Sequence, residues 1–253
     1  GHLKNLLEGN CPEIEVAAVE DINPDRIRWA REQLGEALPV FSTAEEMLDS
    51  GLIEAAIVAV PHYDHPKYAI ECFKRNIHVM VEKPAGVYTK QVREMNEAAA
   101  KSNVKFGLMF NQRTDHIYRK MRELVQGGSL GQIRRTSWII TNWYRPQAYY
   151  DSGAWRATWS GEGGGVLLNQ CPHNLDLWQW ICGMPVMVDA KLHFGKWHDI
   201  EVEDDVTAYV EYANGATGTF ITSTADAPGT NRFEITLDGG KLVAENGELT
   251  LWK

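Results

Sequence analysis

The sequence predicts an α/β protein of two domains: a doubly wound parallel sheet, then an α+β domain with a mostly antiparallel open sheet. In residues 1–112, apolar strand-like runs alternate with helical patterns, which is typical of a parallel sheet flanked by helices. In residues 113–253, strand-like runs follow one another instead. Asn214-Gly215 and Asp238-Gly239 separate such runs, and both dipeptides tolerate the positive φ of a tight hairpin. We therefore expect one domain at 1–112 and a second at 113–253.

The composition is that of an ordinary globular protein. The chain has 253 residues, 44% of them apolar and 23% charged, and a formal net charge of -9. Nucleic acids and anionic membranes favour surfaces rich in Lys and Arg, so this charge argues against both as main partners. No apolar run approaches the roughly 20 residues that span a bilayer. The four cysteines form no Cys-x-x-Cys pair, which predicts reduced thiols and a cytoplasmic protein.

Each element of the first domain has its own signal. Asn23 and Pro24 suit the N-cap and the first position of a helix that ends at Gly35. Thr43 opens a capping-box pattern, which predicts a second helix. Residues 55–60 are continuously apolar, which predicts a strand buried on both faces. The other expected elements are strands at 14–19, 78–81 and 104–110 and helices at 66–75 and 89–101.

Asp21 closes the strand-like run 14–19. An acid at the end of the second strand of a Rossmann-type sheet commonly binds the adenosine ribose, whereas a loop aspartate that caps the turn at Asn23 is the alternative. No Gly-x-Gly-x-x-Gly is present, and the chain opens on a helical pattern at residues 1–7. A doubly wound sheet that begins with a helix lacks its first strand. We therefore expect the sequence to start partway through this domain.

A charged pair, Glu82 and Lys83, follows the apolar run 78–81 and precedes Pro84. Ligands bind at the carboxyl ends of strands in an open α/β sheet, and lysine and glutamate are rarely buried unless paired. These residues therefore indicate a site. An ordinary surface ion pair at a strand end is the alternative.

The second domain contains a helical segment that opens with three glycines, residues 163–165. Asn169, His173 and Asp176 follow at spacings of four and three, which predicts that they share one helical face. Pro172 cannot donate a backbone hydrogen bond, so the helix either kinks or begins there. A semi-buried structural histidine is the alternative for His173. The other expected elements are a helix at 117–125 and strands at 133–143, 186–194, 206–212, 216–222, 233–237 and 242–244.

Two further groups have side chains suited to chemistry. A glycine-rich connection carries aromatic residues beside an arginine, a combination that suits a polyol or sugar acid, although packing at the domain edge explains it almost as well. The members of this connection are Tyr149, Tyr150, Trp155, Arg156 and Trp159. His62-Tyr63-Asp64-His65 contains metal-ligand types. Its spacing is not the helical i, i+4 of a zinc hydrolase, so we expect no metal site.

Together these residues resemble the Gfo/Idh/MocA family of NAD(P)-dependent oxidoreductases, which includes glucose-fructose oxidoreductase and inositol dehydrogenase and acts on sugars, inositols and related polyols. The resemblance covers nearly the whole chain. It is carried, in order, by Pro61-His62-Tyr63-Asp64-His65, Glu82-Lys83-Pro84, Trp155-Arg156, and the three glycines followed by Asn169, His173 and Asp176. The family usually continues past the equivalent of Lys253, so we expect C-terminal residues to be missing too.

The resemblance implies a role for each matching residue. Lys83 and His173 would be catalytic, with Lys83 beside the nicotinamide and His173 as the acid or base. The implied cofactor-binding residues are Asp21, Pro61, His62, His65, Glu82, Lys83, Pro84 and Asn111, with Glu82 at the nicotinamide ribose. The implied substrate-binding residues are Tyr150, Trp155, Arg156, Asn169, Gln170, His173 and Asp176. Many family members carry aspartate where this chain has Asn169, which would hydrogen-bond substrate hydroxyls rather than relay a proton.

These roles predict a dehydrogenase that transfers a hydride between a nicotinamide cofactor and a secondary alcohol. NAD is favoured because Asp21 repels the 2′-phosphate of NADP, but Arg26 lies near enough to keep NADP as an alternative. His173 would accept the hydroxyl proton while Lys83 stabilises the oxygen, and a desolvated Lys83 as base is the reverse assignment.

Two other classes of function remain open. One is a non-catalytic dinucleotide- or sugar-binding regulator, and the other is a lyase, epimerase or glycosidase that reuses bound NAD. A sugar or polyol substrate and a second copy of the chain, in a homodimer or homotetramer, are the expected partners.

Overall fold

The computed structural model describes residues 2–35 and 37–253, which form two compact units. Unit 1 contains the described residues up to Val60 together with Asp64–Glu82 and Thr89–Leu108. Unit 2 contains Pro61–Tyr63, Lys83–Tyr88 and Met109–Lys253. The chain therefore changes unit between Glu82 and Lys83, and Lys83 belongs to the same unit as His173.

Unit 1 consists of short parallel strands and helices in alternation. Its elements are α1 (His2–Leu7), β1 (Val19–Glu20), α2 (Pro24–Leu34), β2 (Val40–Phe41), α3 (Ala44–Asp49), β3 (Ala55–Val58), α4 (His65–Lys74), β4 (His78–Val81), α5 (Thr89–Ala100) and β5 (Phe106–Leu108). β1 pairs with β2, and β4 lies between β3 and β5, all in parallel. The predicted alternation and the parallel pairing are confirmed, although the strand expected at 14–19 is reduced to β1.

The predicted starts of α2 and α3 are confirmed by their caps. The side-chain oxygen of Asn23 accepts from the Asp25 amide at 2.9 Å, and the Thr43 hydroxyl accepts from the Glu46 amide at 3.3 Å. Each cap satisfies an amide that has no partner within its own helix.

The apolar strands β3 and β4 are covered on one side only. Val58 and Val81 are buried, whereas Ile57 and Met80 are 42% and 37% exposed. The prediction that residues 55–60 form a strand buried on both faces is therefore wrong. An apolar run permits burial of both faces, but packing against helices decides which face is covered.

Unit 2 is organised around a mostly antiparallel sheet. Its elements are α6 (His116–Gln126), β6 (Ile133–Ile140), α7 (Gln147–Tyr150), α8 (Pro172–Cys182), β7 (Met187–Phe194), β8 (Glu203–Glu211), β9 (Thr217–Ser223), β10 (Asn231–Leu237), β11 (Gly240–Glu245) and β12 (Glu248–Trp252). The strand order is β12-β11-β10-β6-β9-β8-β7, and only the β6–β9 pair is parallel among these described strands. Side chains of β6, β9 and β10 pack with α6 and α8 in one core. The predicted sheet type is confirmed.

Tight hairpins join several of these strands. Gly215 has a φ of +82° in the turn before β9, as its dipeptide predicts. Asp238-Gly239 does link β10 to β11, but the φ of Gly239 lies outside the left-handed region. A further hairpin at Asn246-Gly247, with φ values of 52° and 76°, leads into β12, a strand that was not predicted.

The helix α8 begins at Pro172, which confirms the second of the two alternatives for that proline. Asn169 lies before the helix, in turns closed by hydrogen bonds from the Asn169 amide to Gly165 and from the Cys171 amide to Val166. The prediction that Asn169 shares a helical face with His173 is therefore wrong. Proline is well suited to the first turn of a helix because its missing N–H would have no partner there.

The described helices include none with the length and apolar character needed to cross a bilayer.

Candidate active site

Lys83 and Asn169, both in unit 2, are joined by hydrogen bonds. Lys83 lies two residues after β4 and donates from Nζ to the backbone oxygen of Asn169 at 2.8 Å and to its Oδ1 at 3.2 Å. Both residues are half-buried. Two of the predicted site residues, 86 positions apart in sequence, are thus brought into contact.

A buried carboxylate, Glu162, lies behind Asn169. Glu162 is 2% exposed; its Oε1 accepts from Nδ2 of Asn169 at 2.5 Å, and its Oε2 accepts from the Ala157 amide at 2.7 Å. Burial raises the pKa of Glu162, and the Ala157 amide and the positive charges of Arg156 and Lys83 act in the opposite direction. Glu162 was not among the predicted site residues. Its one sequence signal is its place in a glycine run, where the backbone can close around a side chain.

A second buried carboxylate fixes this glycine run. Glu203 is 4% exposed and accepts from the amides of Gly165 and Leu167 at 2.9 and 3.0 Å. A Cβ on Gly165 would lie 2.0 Å from the backbone oxygen of Glu203, so only glycine fits. The segment that carries Glu162 and Asn169 is therefore held against the start of β8.

His173 is the second residue of α8 and meets Phe110 edge-on, with ring centroids 6.0 Å apart. Asp176 lies on the same helix and is 8% exposed. It accepts from Nε and Nη2 of Arg113 at 2.7 and 2.6 Å, so it is held in a bidentate ion pair within the unit.

In the glycine-rich connection, the guanidinium of Arg156 lies over two aromatic rings. Its Cζ lies 4.5 Å from the Trp155 centroid and 4.6 Å from the Tyr149 centroid. Trp155 is 43% exposed and accessible to a ligand. Tyr150 is instead 7% exposed and donates to the Thr224 hydroxyl at 2.9 Å, and burial raises its pKa to about 12. Tyr150 therefore supports this connection as a packed residue.

The other predicted residues of unit 2 differ in exposure. His62 is buried and donates from Nδ1 to the backbone oxygen of Glu162 at 3.1 Å. Pro84, in a cis peptide bond with Lys83, and Gln170 are also buried. Pro61 and Asn111 are exposed.

Unit 1 carries the remaining predicted residues. Asp21 directly follows β1, is half-buried and accepts from the Asn23 amide at 2.8 Å. His65 is 1% exposed and donates from Nε2 to the Val60 oxygen at 2.8 Å, while Glu82 bonds His2 at 2.5 Å. A carboxylate offers several acceptor positions, and ribose hydroxyls are donors. The bond from the Asn23 amide is the turn-capping contact expected as the alternative for Asp21. The remaining acceptor positions of this carboxylate, at the carboxyl end of a parallel strand, fit the adenosine ribose of NAD.

Among residues 2–35 and 37–253, no group of three or more His, Cys, Asp or Glu side chains could hold a metal ion.

Comparison with known proteins identifies both parts of the chain. Residues 2–110 match the oxidoreductase family with an NAD-binding Rossmann fold, and residues 118–243 match the GFO/IDH/MocA C-terminal domain. The chain is 26% identical over 242 residues to myo-inositol 2-dehydrogenase of Thermotoga maritima, covering 90% of this chain and 67% of that protein. It is 28% identical over 223 residues to D-glucoside 3-dehydrogenase of Escherichia coli, covering 80% and 61%.

Among solved structures, the WlbA dehydrogenase of Chromobacterium violaceum in complex with NADH and UDP-GlcNAcA is similar to the whole chain. The TM-score is 0.90 at 27% identity, and the match covers 100% of this chain and 74% of that one. The chain thus spans about two thirds of the length of the curated relatives named above. On these matches and on the two-part fold, the chain belongs to the GFO/IDH/MocA family, whose N-terminal Rossmann domain binds NAD.

Proposed function

We propose that the protein is an NAD(P)-dependent dehydrogenase that oxidises a secondary alcohol of a sugar, an inositol or a related polyol. The observation that carries the proposal is the hydrogen bond from Nζ of Lys83 to the backbone oxygen of Asn169 at 2.8 Å. Asn169 lies four residues before His173 in the sequence. An oriented cation can stabilise the charge that develops on an alcohol oxygen, and an imidazole can accept its proton. Asp21, Glu82, Pro61 and the neighbouring His62, His65, Pro84 and Asn111 would hold the cofactor.

The chemistry follows from the proton that the alcohol must lose. NAD, when bound, supplies the hydride acceptor. His173 takes the hydroxyl proton as the carbonyl forms, because a neutral imidazole accepts protons near neutral pH. Lys83 donates to the same oxygen and stabilises the negative charge that develops on it. Asn169 holds Lys83, and Trp155 and Arg156 offer a ring face and donors to a hydroxylated substrate.

The substrate class is supported by the relatives. Two relatives are named as dehydrogenases of myo-inositol and of D-glucosides, both of which are hydroxylated rings. A cytoplasmic location and a homodimer or homotetramer complete the proposal, the first from the four free thiols.

A substrate panel of sugars and inositols with NAD, read by NADH absorbance, tests the proposal. The best substrate is then used to measure pH-rate profiles of His173→Ala and Lys83→Ala. We expect kcat of His173→Ala to be lower by about 100-fold or more. The decrease in activity at low pH, which reports protonation of the base, should disappear. If His173→Ala kept the limb on which activity falls at low pH, the role of base would pass to Lys83.

Two results would contradict the dehydrogenase assignment in different ways. NAD binding without reduction by any member of the panel would favour the non-catalytic regulator. Reduction of bound NAD without release of NADH would favour a lyase, epimerase or glycosidase that recycles the cofactor.

A further inference from the structure

Three polar side chains of unit 2 form a continuous hydrogen-bonded chain from the interior to Lys83. Glu162 accepts from Nδ2 of Asn169, and Oδ1 of Asn169 accepts from Nζ of Lys83. We propose that Glu162 is a positioning residue, which fixes the Asn169 amide with its oxygen toward Lys83 and supplies the negative charge that Asn169 lacks. The inference deepens the proposed function and rests on it.

The hydrogen-bond partners of Glu162 favour its carboxylate form. Oε2 faces the Ala157 amide at 2.7 Å, and Oε1 faces Nδ2 of Asn169 at 2.5 Å, with Nη1 of Arg156 at 3.9 Å. All three neighbours are donors, and an ionised carboxylate, which only accepts, matches them better than a protonated carboxyl group does. Burial raises the pKa of Glu162, and these donors act in the opposite direction without cancelling that effect.

The orientation of the Asn169 amide then follows. An amide has one accepting and one donating end, and an acceptor-only carboxylate can bind only the donating end. With Nδ2 fixed toward Glu162, Oδ1 must face the opposite direction, where Lys83 donates to it at 3.2 Å. Without the carboxylate, the amide could rotate and present its NH2 group to the Lys83 ammonium, which is a contact between two donors.

The charge of Glu162 acts on Lys83 as well. Asn169 contacts Lys83 but carries no charge. The negative charge in this hydrogen-bonded chain is that of Glu162, which bonds Asn169. Glu162 is 2% exposed, and a charge interaction in a buried setting is screened less than one at the surface. The other charges near Glu162 are those of Arg156, Lys83 and Glu203.

The substitution Glu162→Gln separates this role from a structural one. The new side chain can keep the bond from the Ala157 amide through its oxygen, but its NH2 group then meets Nδ2 of Asn169, which must rotate. We expect the Lys83 amine to titrate at lower pH by roughly half a unit, because it loses an acceptor and a nearby negative charge. The midpoint is read without NAD or substrate by carbon-13 NMR of Cε, assigned through Lys83→Arg. In the NADH assay, the alkaline limb of the kcat/KM profile should move in the same direction.

A second variant tests the mechanism by rescue. In the double variant E162Q/N169D, the NH2 group introduced at position 162 can donate to the carboxylate introduced at position 169, which in turn accepts from Lys83. We expect the Lys83 midpoint to return at least to its original value and the alkaline limb to follow. The matched control is Glu203→Gln, which alters another buried carboxylate, at the start of β8, whose described side-chain hydrogen bonds are to the backbone amides of Gly165 and Leu167. It should lower stability and leave the Lys83 midpoint in place.

Each outcome decides the inference. An unmoved Lys83 midpoint in folded Glu162→Gln, or an equal movement in Glu203→Gln, overturns it. If Glu162→Gln does not fold, the double variant decides alone, since a midpoint well below the original contradicts the proposed transfer of charge. A panel without any NADH formation contradicts the proposed function instead, and the titration of Lys83 still tests the role of Glu162.

Discussion

At the scale of single residues, the site depends on groups that meet only because the backbone around them is fixed. Gly165 lets the glycine run approach Glu203, whose carboxylate then holds two amides of the run. Glu162 and Asn169 lie in the same segment, on either side of the glycines at 163–165. The Lys83 contact therefore depends on the glycine and the carboxylate that hold this segment in place.

Gly165→Ala should cost at least about 2 kcal/mol of unfolding free energy, because the added Cβ would lie 2.0 Å from a backbone oxygen and the backbone would have to shift. Urea denaturation measures the loss. Gly239→Ala is the matched control, since its Cβ would lie 3.4 Å from the nearest backbone oxygen. Equal losses in the two variants would contradict a steric role for Gly165.

At the scale of elements, helix α4 is joined to α3 by an ion-pair group. Arg75 donates to Asp49 of α3 and to Glu71 of α4, each at 2.6 Å, and Lys74 donates to Glu71 at 2.6 Å. The Lys74 and Arg75 hydrogen bonds lower the pKa of Glu71. Ionisation of Glu71 therefore stabilises the folded protein relative to the unfolded chain.

Glu71→Gln should destabilise the protein by about 0.5–1 kcal/mol at neutral pH, the range of partly exposed ion pairs. A lowered folded pKa contributes stability above the unfolded value, here 4.5, and loses it as the pH falls through the folded value. The difference between parent and variant should therefore vanish in acid. Urea unfolding from neutral to acid pH checks this, with the more exposed pair of Glu123 and Lys120 as control. A difference that persists in acid would contradict the ionic origin.

At the scale of the whole molecule, charge bears on the choice of cofactor. The net charge of -9 and the Asp21 carboxylate both oppose the additional phosphate of NADP. Arg26 is exposed in the first turn of α2 and acts in the opposite direction. The balance favours NAD, because Asp21 directly follows the strand while Arg26 extends into solvent.

NAD should bind several-fold more tightly than NADP, and the preference should decrease as salt screens the repulsion. Asp21→Ser should reduce the ratio further, since it removes the carboxylate and keeps a hydroxyl. Isothermal titration with both cofactors, at low and high salt, measures the ratio. Tighter binding of NADP by the parent protein would contradict the assignment.

Local sequence determined the elements and their types. The caps at Asn23 and Thr43, the start of α8 at Pro172 and the alternation of strands and helices were all predictable, because each depends on neighbours within a few residues. The covered face of β3 was not predictable, since both faces of the strand are apolar. The hairpin at Asn246-Gly247 is predictable from sequence as well, because Asn-Gly tolerates the positive φ of a tight turn.

Lys83, Asn169 and His173 could be proposed as site residues from sequence, through motifs and the family that they resemble, and the structure brings Lys83 and Asn169 into contact. Glu162 could not, because its role depends on a bond to Asn169 and a bond to Ala157 that exist only after the chain has folded. Nothing in the residue type distinguishes a buried carboxylate from a solvated one. Sequence by itself thus determined which residues are candidates for the site, whereas tertiary packing decided which carboxylate is buried beside them, since burial is a property of the surroundings.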